Sequence, residues 1–299
     1  MERVSAKAVR PPSDLILNLA PTGMVPTRAM SPKVPLQPAE IVRDVLRCAD
    51  LGVTIAHLHA RDKDDRPTYR KDIYERIIGG IREKRPELIL CVSCSGRGGV
   101  PLEHRCEVLT LSGDLQPDMA SLTLSSLNFV GEASVNSPAT VATLASRMKD
   151  AGIKPELEVF DLGMANVAQY LADRGLLEPP FYANVFFGNL ATAQARFLEI
   201  GAVVSGLPTD AIWSLAGIGS AQIPVAAMAA AGAPGMRIGL EDNLWMDPQR
   251  ERLAGNADLV ERLHHLACLM GRKIMSACEL RSLLGLPQRT SVVCAEQTL

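Results

Sequence analysis

Two histidines at alternate positions carry the clearest chemical signal in this sequence. His57 and His59 end the apolar run 53–59, and residues two apart on a β-strand point to the same side. Two imidazoles on one wall form half of a metal site, and nitrogen donors suit zinc. The alternative is a pair of hydrogen-bonded histidines with no metal. We favour the metal because the pair ends a strand and the chain holds only 5 histidines.

Glu241 is the candidate for a third ligand. The segment 237–243 closes the last predicted strand with adjacent Glu241 and Asp242. In a closed barrel of eight strands, the second and eighth are separated only by the first, roughly 10 Å across two inter-strand spacings. Two histidines and one carboxylate leave a coordination position open, which is typical of a catalytic metal. A solvated loop carboxylate is the alternative for Glu241.

Arg237 and Asp242 belong to the same segment. Beside a Lewis-acidic metal, an arginine can bind a substrate anion or stabilise a developing enolate. The alternative is a structural ion pair, because an arginine inside a barrel needs a carboxylate partner.

Two loops rich in glycine and hydroxyl side chains are candidate ligand-binding elements. Residues 93–99 follow the third predicted strand, and residues 216–220 follow the seventh and lead into a helix N-terminus. Loops after the late strands of barrels often bind phosphate in this way. Tight turn geometry is the alternative reason for the glycines. The first loop supplies the candidate substrate-binding residues Ser93, Ser95, Gly96 and Arg97.

Short apolar runs alternate with amphipathic segments along most of the chain. The runs predict strands at 15–20, 53–59, 88–93, 119–122, 156–160, 182–186, 211–216 and 236–240. The segments predict helices at 38–51, 71–84, 137–151, 164–174, 191–204, 220–231 and 254–270.

Eight β/α units predict a (β/α)₈ TIM barrel in the α/β class, with helices outside a parallel sheet. We predict a single domain over 1–299, with the barrel at about 15–270 and a C-terminal helix and tail at 271–299. A doubly wound open sheet is the rival, but residues 20–24 form no glycine-rich dinucleotide turn. A capping box, Ser276 with Glu279, predicts that the C-terminal helix begins there and ends near Gly285.

Composition argues against several classes of partner. A net charge of −2 and an aromatic content of 4% argue against binding to nucleic acid or to an anionic membrane. The longest apolar stretch, 223–233, contains proline and glycine and is too short to span a bilayer, and no apolar signal-peptide core precedes the first strand. The 7 scattered cysteines are typical of reduced thiols in a cytoplasmic protein. Cys91 and Cys94 point to opposite faces of a strand, which indicates buried, inert thiols.

Several motifs, in order and at characteristic spacing, resemble the β-keto acid cleavage enzyme family over roughly residues 15–285. They are Pro21-Thr22-Gly23 with Thr27-Arg28, His57-Leu58-His59-Ala60-Arg61-Asp62, Arg66-Pro67, Pro155-Glu156-Leu157-Glu158-Val159-Phe160, Ala216-Gly217-Ile218-Gly219 with Ile223-Pro224, and Arg237 with Gly239 and Glu241-Asp242-Asn243.

The resemblance implies an acyltransferase that uses zinc and acetyl-CoA and forms no covalent enzyme intermediate. A β-keto acid and acetyl-CoA would give acetoacetate and a new acyl-CoA by Claisen-type condensation and retro-Claisen cleavage. The resemblance also implies roles for particular residues. They are His57, His59 and Glu241 as metal ligands, Arg237 and Asp242 in deprotonation and anion stabilisation, and Ser93 and Ser121 near the substrate's carboxylate and keto groups.

The chain departs from the family pattern at three candidate substrate-binding positions. Val25 stands where members that act on an amino-substituted keto acid carry an acidic residue, Ser95 replaces a glycine, and Arg97 has no counterpart. We therefore expect a neutral-tailed substrate, or a dicarboxylic one if Arg97 points inward; a surface position is the alternative for Arg97.

Two other functions stay open at this point. One is a metal-dependent aldolase or lyase that acts on a keto acid without CoA, and the other is a non-catalytic barrel that binds a metabolite. A homo-oligomer, either a dimer or a tetramer, is expected in each case.

Overall fold

Eight parallel strands close into a barrel in the computed structural model, which describes residues 14–289. In chain order they are β1 Asp14–Leu19, β2 Ile55–Leu58, β3 Ile89–Val92, β4 Met119–Thr123, β5 Lys154–Val159, β6 Phe181–Phe187, β7 Ala211–Gly217 and β8 Gly235–Ile238. Each strand pairs with the next, and β8 pairs with β1 to close the cylinder. The predicted TIM barrel is confirmed, and the open doubly wound sheet is excluded.

Helices surround the barrel. They are α1 Pro38–Asp50, α2 Lys71–Arg82, α3 Leu102–Arg105, α4 Pro138–Asp150, α5 Leu162–Asp173, α6 Phe197–Ser205, α7 Gln222–Gly232, α8 Asn256–Leu269 and α9 Ala277–Leu284. Short 3₁₀ helices lie at Glu107–Thr110, Gly113–Leu115 and Gly219–Ala221. Within residues 14–289, none of the helices has the length and apolar character needed to cross a bilayer.

Three of the differences from the sequence-based prediction lie in segments that follow barrel strands. The helix predicted from residue 191 begins at Phe197, because the Gln194 side chain donates to the carbonyl groups of Asn189 and Thr192 and holds this segment as a loop. Two short hairpins were not predicted; they pair Ala60–Arg61 with Pro67–Thr68 and Leu127–Asn128 with Ala133–Ser134. Both follow barrel strands, so both extend the loops at the barrel mouth.

The predicted C-terminal capping box is present. Ser276 Oγ accepts from the Glu279 amide at 3.2 Å, and helix α9 ends at Gly285 with a φ of 65°. On its apolar face, Leu280 and Leu284 join the inner core cluster that contains Ile16 and Ile55. The C-terminal helix therefore packs against the interior of the barrel.

Five of the six cysteines within residues 14–289 are free thiols, as predicted. Cys91 and Cys94 are buried free thiols, and burial raises the pKa of both. Cys48 and Cys106 are also free and buried, whereas Cys278 is disulfide-bonded. The expectation of reduced thiols throughout is therefore wrong for Cys278.

Side-chain alternation along β2 positions the candidate metal ligands. Ala56 and Leu58 pack outward in the cluster shared with the helices, whereas Ile55 belongs to the inner cluster. His57 has the same parity as Ile55 and is buried, with 1% of its surface exposed. The interior therefore changes from apolar to polar at His57, toward the mouth.

Candidate active site

His57, His59 and Glu241 converge at the mouth of the barrel. His57 Nε2 lies 3.2 Å from His59 Nε2, and His59 Nε2 lies 3.2 Å from Glu241 Oε1. His57 Nε2 lies 4.0 Å from Glu241 Oε2. All three donor atoms fit within 4.8 Å of one another. The two histidines and Glu241 are far apart in the sequence, but they meet because β1 alone separates β2 from β8.

Glu156 on β5 orients His57 from below. The His57 Nδ1 donates to Glu156 Oε1 at 2.6 Å, and the Asn18 amide donates to Glu156 Oε2 at 3.0 Å. Burial lowers the pKa of His57, but the carboxylates of Glu156 and Glu241 together outweigh this effect and raise the pKa overall. With its proton on Nδ1, neutral His57 presents the Nε2 lone pair to the centre, which is how protein ligands of zinc are usually oriented. The sequence-based reasoning did not assign this role to Glu156.

The donor set fits a zinc ion. Glu241 Oε2 is buried without a hydrogen-bond partner, and two imidazole nitrogens face each other at 3.2 Å. A cation between these atoms would satisfy all of them, and two histidines with one carboxylate match zinc chemistry. Within the described residues, a second donor group joins His57, Cys91 and Glu156. Burial raises the pKa of Cys91 well above its usual range, so this thiol stays protonated and is the poorer ligand.

The loop after β1 packs directly on Glu241. Gly23 has a φ of 67°, and a Cβ there would lie 2.5 Å from Glu241 Cγ, so only glycine fits. The buried Arg61 donates to the carbonyl groups of Gly23 at 2.6 Å and Pro26 at 3.1 Å. These contacts hold the loop and place Val25 on the wall of the cavity.

Arg237 and Asp242 form a forked ion pair beside the candidate metal ligands. Arg237 Nε lies 3.0 Å from Asp242 Oδ2, and Nη2 lies 3.3 Å from Oδ1. Arg237 Nη2 also lies 3.0 Å from Glu241 Oε1. Burial raises the pKa of Asp242, and Arg237 offsets part of this effect. A carboxylate with a raised pKa is a better proton acceptor, so the pair can serve acid–base chemistry as well as structure.

One cavity opens onto this centre. It brings together the predicted residues Val25, Ser93, Ser95 and Arg97 with the metal-site residues. The full lining consists of Met24, Val25, His59, Ser93, Ser95, Arg97, Thr123, Phe129, Ser134, Glu158, Phe160, Phe186, Ile218, Arg237, Glu241 and Asp242.

Two predicted substrate-binding residues lie behind the cavity surface. Ser121 is buried and its Oγ accepts from the Cys94 amide at 3.1 Å, so it supports the loop at 93–99. Gly96 allows close packing, because a Cβ there would lie 2.7 Å from the Val135 carbonyl oxygen. Their contact with substrate stays a prediction.

Glu158 is a cavity residue to which the sequence-based reasoning gave no role. It is partly buried on β5, and Thr123 Oγ1 donates to its carboxylate at 2.5 Å. Burial raises the pKa of Glu158. The alternation of Glu156 and Glu158 along β5 was the available signal, because residues two apart on a strand share a face.

Three phenylalanines form one wall of the cavity. Phe129 contacts Phe160 edge-on, with centroids 5.8 Å apart, and Phe160 stacks on Phe186 at 4.4 Å. The Arg237 guanidinium carbon lies 4.9 Å from the Phe186 centroid, and that of Arg97 lies 3.4 Å from the Phe129 centroid. An apolar wall therefore runs between two arginines.

Comparison with known proteins identifies related sequences and folds. The model of the beta-keto acid cleavage enzyme family matches residues 14–286. The chain is 34% identical to a 3-keto-5-aminohexanoate cleavage enzyme of Fusobacterium nucleatum, over 91% of this chain and 98% of the relative. It is 35% identical to a 3-oxoadipate:acetyl-CoA acetyltransferase of Cupriavidus necator, over 91% and 95%. The apo structure of ObcA shares the fold, with a TM-score of 0.77 and 23% identity over 87% of this chain and 66% of that one.

Proposed function

The chain belongs to the beta-keto acid cleavage enzyme family, and we propose that it works with a zinc ion held by His57, His59 and Glu241. It is an enzyme that uses a β-keto acid and acetyl-CoA to give acetoacetate and a new acyl-CoA. The observation that carries the proposed site is the convergence of three metal-binding side chains beside the Arg237–Asp242 pair in one cavity.

We assign the proton transfer to Asp242. When bound, zinc supplies Lewis acidity that polarises the keto group of the substrate. Asp242 takes a proton from C2 of the keto acid, and Arg237 fixes the carboxylate through two hydrogen bonds. The C2 carbanion attacks the thioester carbonyl of acetyl-CoA and displaces the CoA thiolate. The thiolate then attacks the original keto carbon, the C2–C3 bond breaks, and Asp242 returns the proton to the acetoacetate carbanion.

The serines are assigned to substrate binding. Ser93 and Ser95 line the cavity after β3, and their hydroxyl groups can donate to the carboxylate of the keto acid. The Ser95 Oγ accepts from the Arg97 amide at 3.3 Å, which keeps the loop ordered. Ser121 is a positioning residue, because it holds the Cys94 amide of this loop.

A turnover assay tests the function directly. The zinc-loaded enzyme is incubated with acetyl-CoA and β-keto acids that differ in their tails, and acetoacetate and acyl-CoA are quantified. Both products should form together, and omission of acetyl-CoA should stop the reaction. Cleavage that persists without acetyl-CoA would support an aldolase or lyase, and the absence of turnover with any acid would support a binding protein. A cytoplasmic location and a homo-oligomer stay predictions.

A further inference from the structure

Arg97 is held in a fixed position at the edge of the cavity. Its backbone forms an antiparallel bridge with Ser134 of the hairpin after β4. Arg105 supports the same loop by donating to the Cys94 carbonyl at 2.9 Å and to Asn136 Oδ1 at 2.6 Å. The Arg97 side chain is 15% exposed and lines the cavity. Of the two alternatives raised by the sequence, the inward position is therefore the one observed.

The Arg97 guanidinium lacks a close anionic partner. Its Nε is buried without a hydrogen bond, and the nearest carboxylate oxygen to it, Glu132 Oε1, lies 3.7 Å away on a side chain that is 44% exposed. The other carboxylates that act on it are already engaged: Glu241 and Asp242 pair with Arg237. Glu158 accepts from Thr123. Burying a cation with so distant a partner is unfavourable in free energy unless a bound anionic ligand pairs with it.

The wall between the two arginines suits a short hydrocarbon chain. Phe129, Phe160 and Phe186 form a continuous row of rings from Arg97 to Arg237. A keto acid whose reacting end lies beside Arg237 would place its methylene groups along these rings. The far end of such a substrate then meets a guanidinium, which binds carboxylates in a planar, two-pronged geometry.

We propose that Arg97 binds a second carboxylate at the tail of the substrate, so that this enzyme prefers dicarboxylic β-keto acids. The inference rests on the proposed function, because it names the substrate class of the same site. An ammonium tail would be repelled by Arg97 and would find Val25, an apolar side chain, on the neighbouring wall. A neutral alkyl tail would leave the guanidinium without a counter-ion.

Two acids of equal length test the proposal, 3-oxohexanedioate and 3-oxohexanoate. The wild-type enzyme should show a higher kcat/KM for the diacid. Arg97→Gln should lower the diacid value about 10- to 100-fold, or about 1.4–2.7 kcal/mol, because the variant loses hydrogen bonds to a charged group. The same variant should change the monoacid value by less than about threefold. Arg97→Lys should retain part of the preference, since it keeps the charge without the fork.

Two further variants serve as controls. Arg174 is an exposed arginine that also stacks on an aromatic ring, Tyr170, and does not line the cavity. Arg174→Gln should leave both substrates unaffected. Glu132→Gln should improve KM for the diacid, because it removes the competing carboxylate beside Arg97.

Several results would overturn the proposal. They are a wild-type preference for the monoacid, an equal loss of both activities in Arg97→Gln, or an effect confined to the KM of acetyl-CoA. The equal loss would indicate contact with the common carboxylate, and the last result would indicate contact with CoA. Calorimetric binding of hexanedioate to wild type and Arg97→Gln tests the contact without turnover. Failure of both acids to yield acetoacetate would instead contradict the proposed function.

Discussion

Replacing Glu156 by glutamine is expected to weaken zinc binding while the barrel stays folded. The carboxylate receives His57 Nδ1 at 2.6 Å, and both side chains are buried. Glutamine keeps the volume, and its one oxygen can still accept from His57 while its NH2 group faces the Asn18 side chain. It removes the negative charge that makes the imidazole a stronger donor. Loss of such a partner typically lowers metal affinity 10- to 100-fold. This corresponds to about 1.4–2.7 kcal/mol.

Competition with a chromophoric chelator measures this effect on the purified apoprotein. Glu158→Gln is the matched control, because Glu158 is a partly buried carboxylate on the same strand that hydrogen-bonds to Thr123 instead. The control should bind zinc with nearly wild-type affinity, and thermal unfolding should show that both variants are folded. If Glu156→Gln binds zinc as tightly as the wild type, or if the two variants lose affinity equally, the orienting role of Glu156 is wrong.

The remaining predictions concern the ligands, the base and acid stability. His57→Ala and Glu241→Ala should strip zinc and abolish turnover without unfolding the barrel; full zinc occupancy by metal analysis would contradict the ligand assignment. Asp242→Asn should keep zinc but lower kcat about 100-fold, as is typical of general base catalysis, and a near-normal kcat would indicate a structural pair. Burial raises the pKa of Glu40, but hydrogen bonds from Arg28 and two backbone amides outweigh it and lower the pKa from 4.5 to about 2. The ionised Glu40 side chain therefore adds to the free energy of unfolding. This stabilisation is complete above pH 4.5 and is lost as the pH falls to about 2. Glu40→Gln should therefore be less stable than wild type near neutral pH but flatten the acid limb of a Tm-against-pH curve; an unchanged curve would refute the linkage.

The barrel and the convergence of the candidate metal ligands could be predicted because they depend on local patterns. The apolar runs end within two residues of the observed strands at either end. The parity of 53–59 placed His57 and His59 on the inner face, and barrel closure brings Glu241 toward them. These inferences need only the period of a strand and the order of strands around a cylinder.

The substrate end of the cavity could not be predicted in the same way. The orientation of Arg97 depends on its bridge to Ser134 and on the Arg105–Asn136 hydrogen bond, which join separate loops. No periodicity in the sequence specifies such contacts. The partnership of Glu156 with His57 was missed for a related reason, since it crosses the barrel between residues 99 positions apart.

The candidate metal ligands are positioned by strands, whereas Arg97 is positioned by a loop. We therefore expect metal binding and substrate preference to respond to different substitutions. The proposed zinc ligands and Glu156 lie on strands or in the short segments after them, and the pairing of these strands closes the barrel. We therefore expect that altering these residues disturbs the metal. Arg97 lies in a loop braced by a hairpin, and no contact joins it directly to His57 or His59 in the described part of the chain. Zinc affinity should therefore be the same in Arg97→Gln and in wild type, even where kcat/KM for a diacid falls. A parallel loss of zinc would mean that the tail-binding end and the metal centre are not independent, and that Arg97 acts through the fold rather than on the substrate.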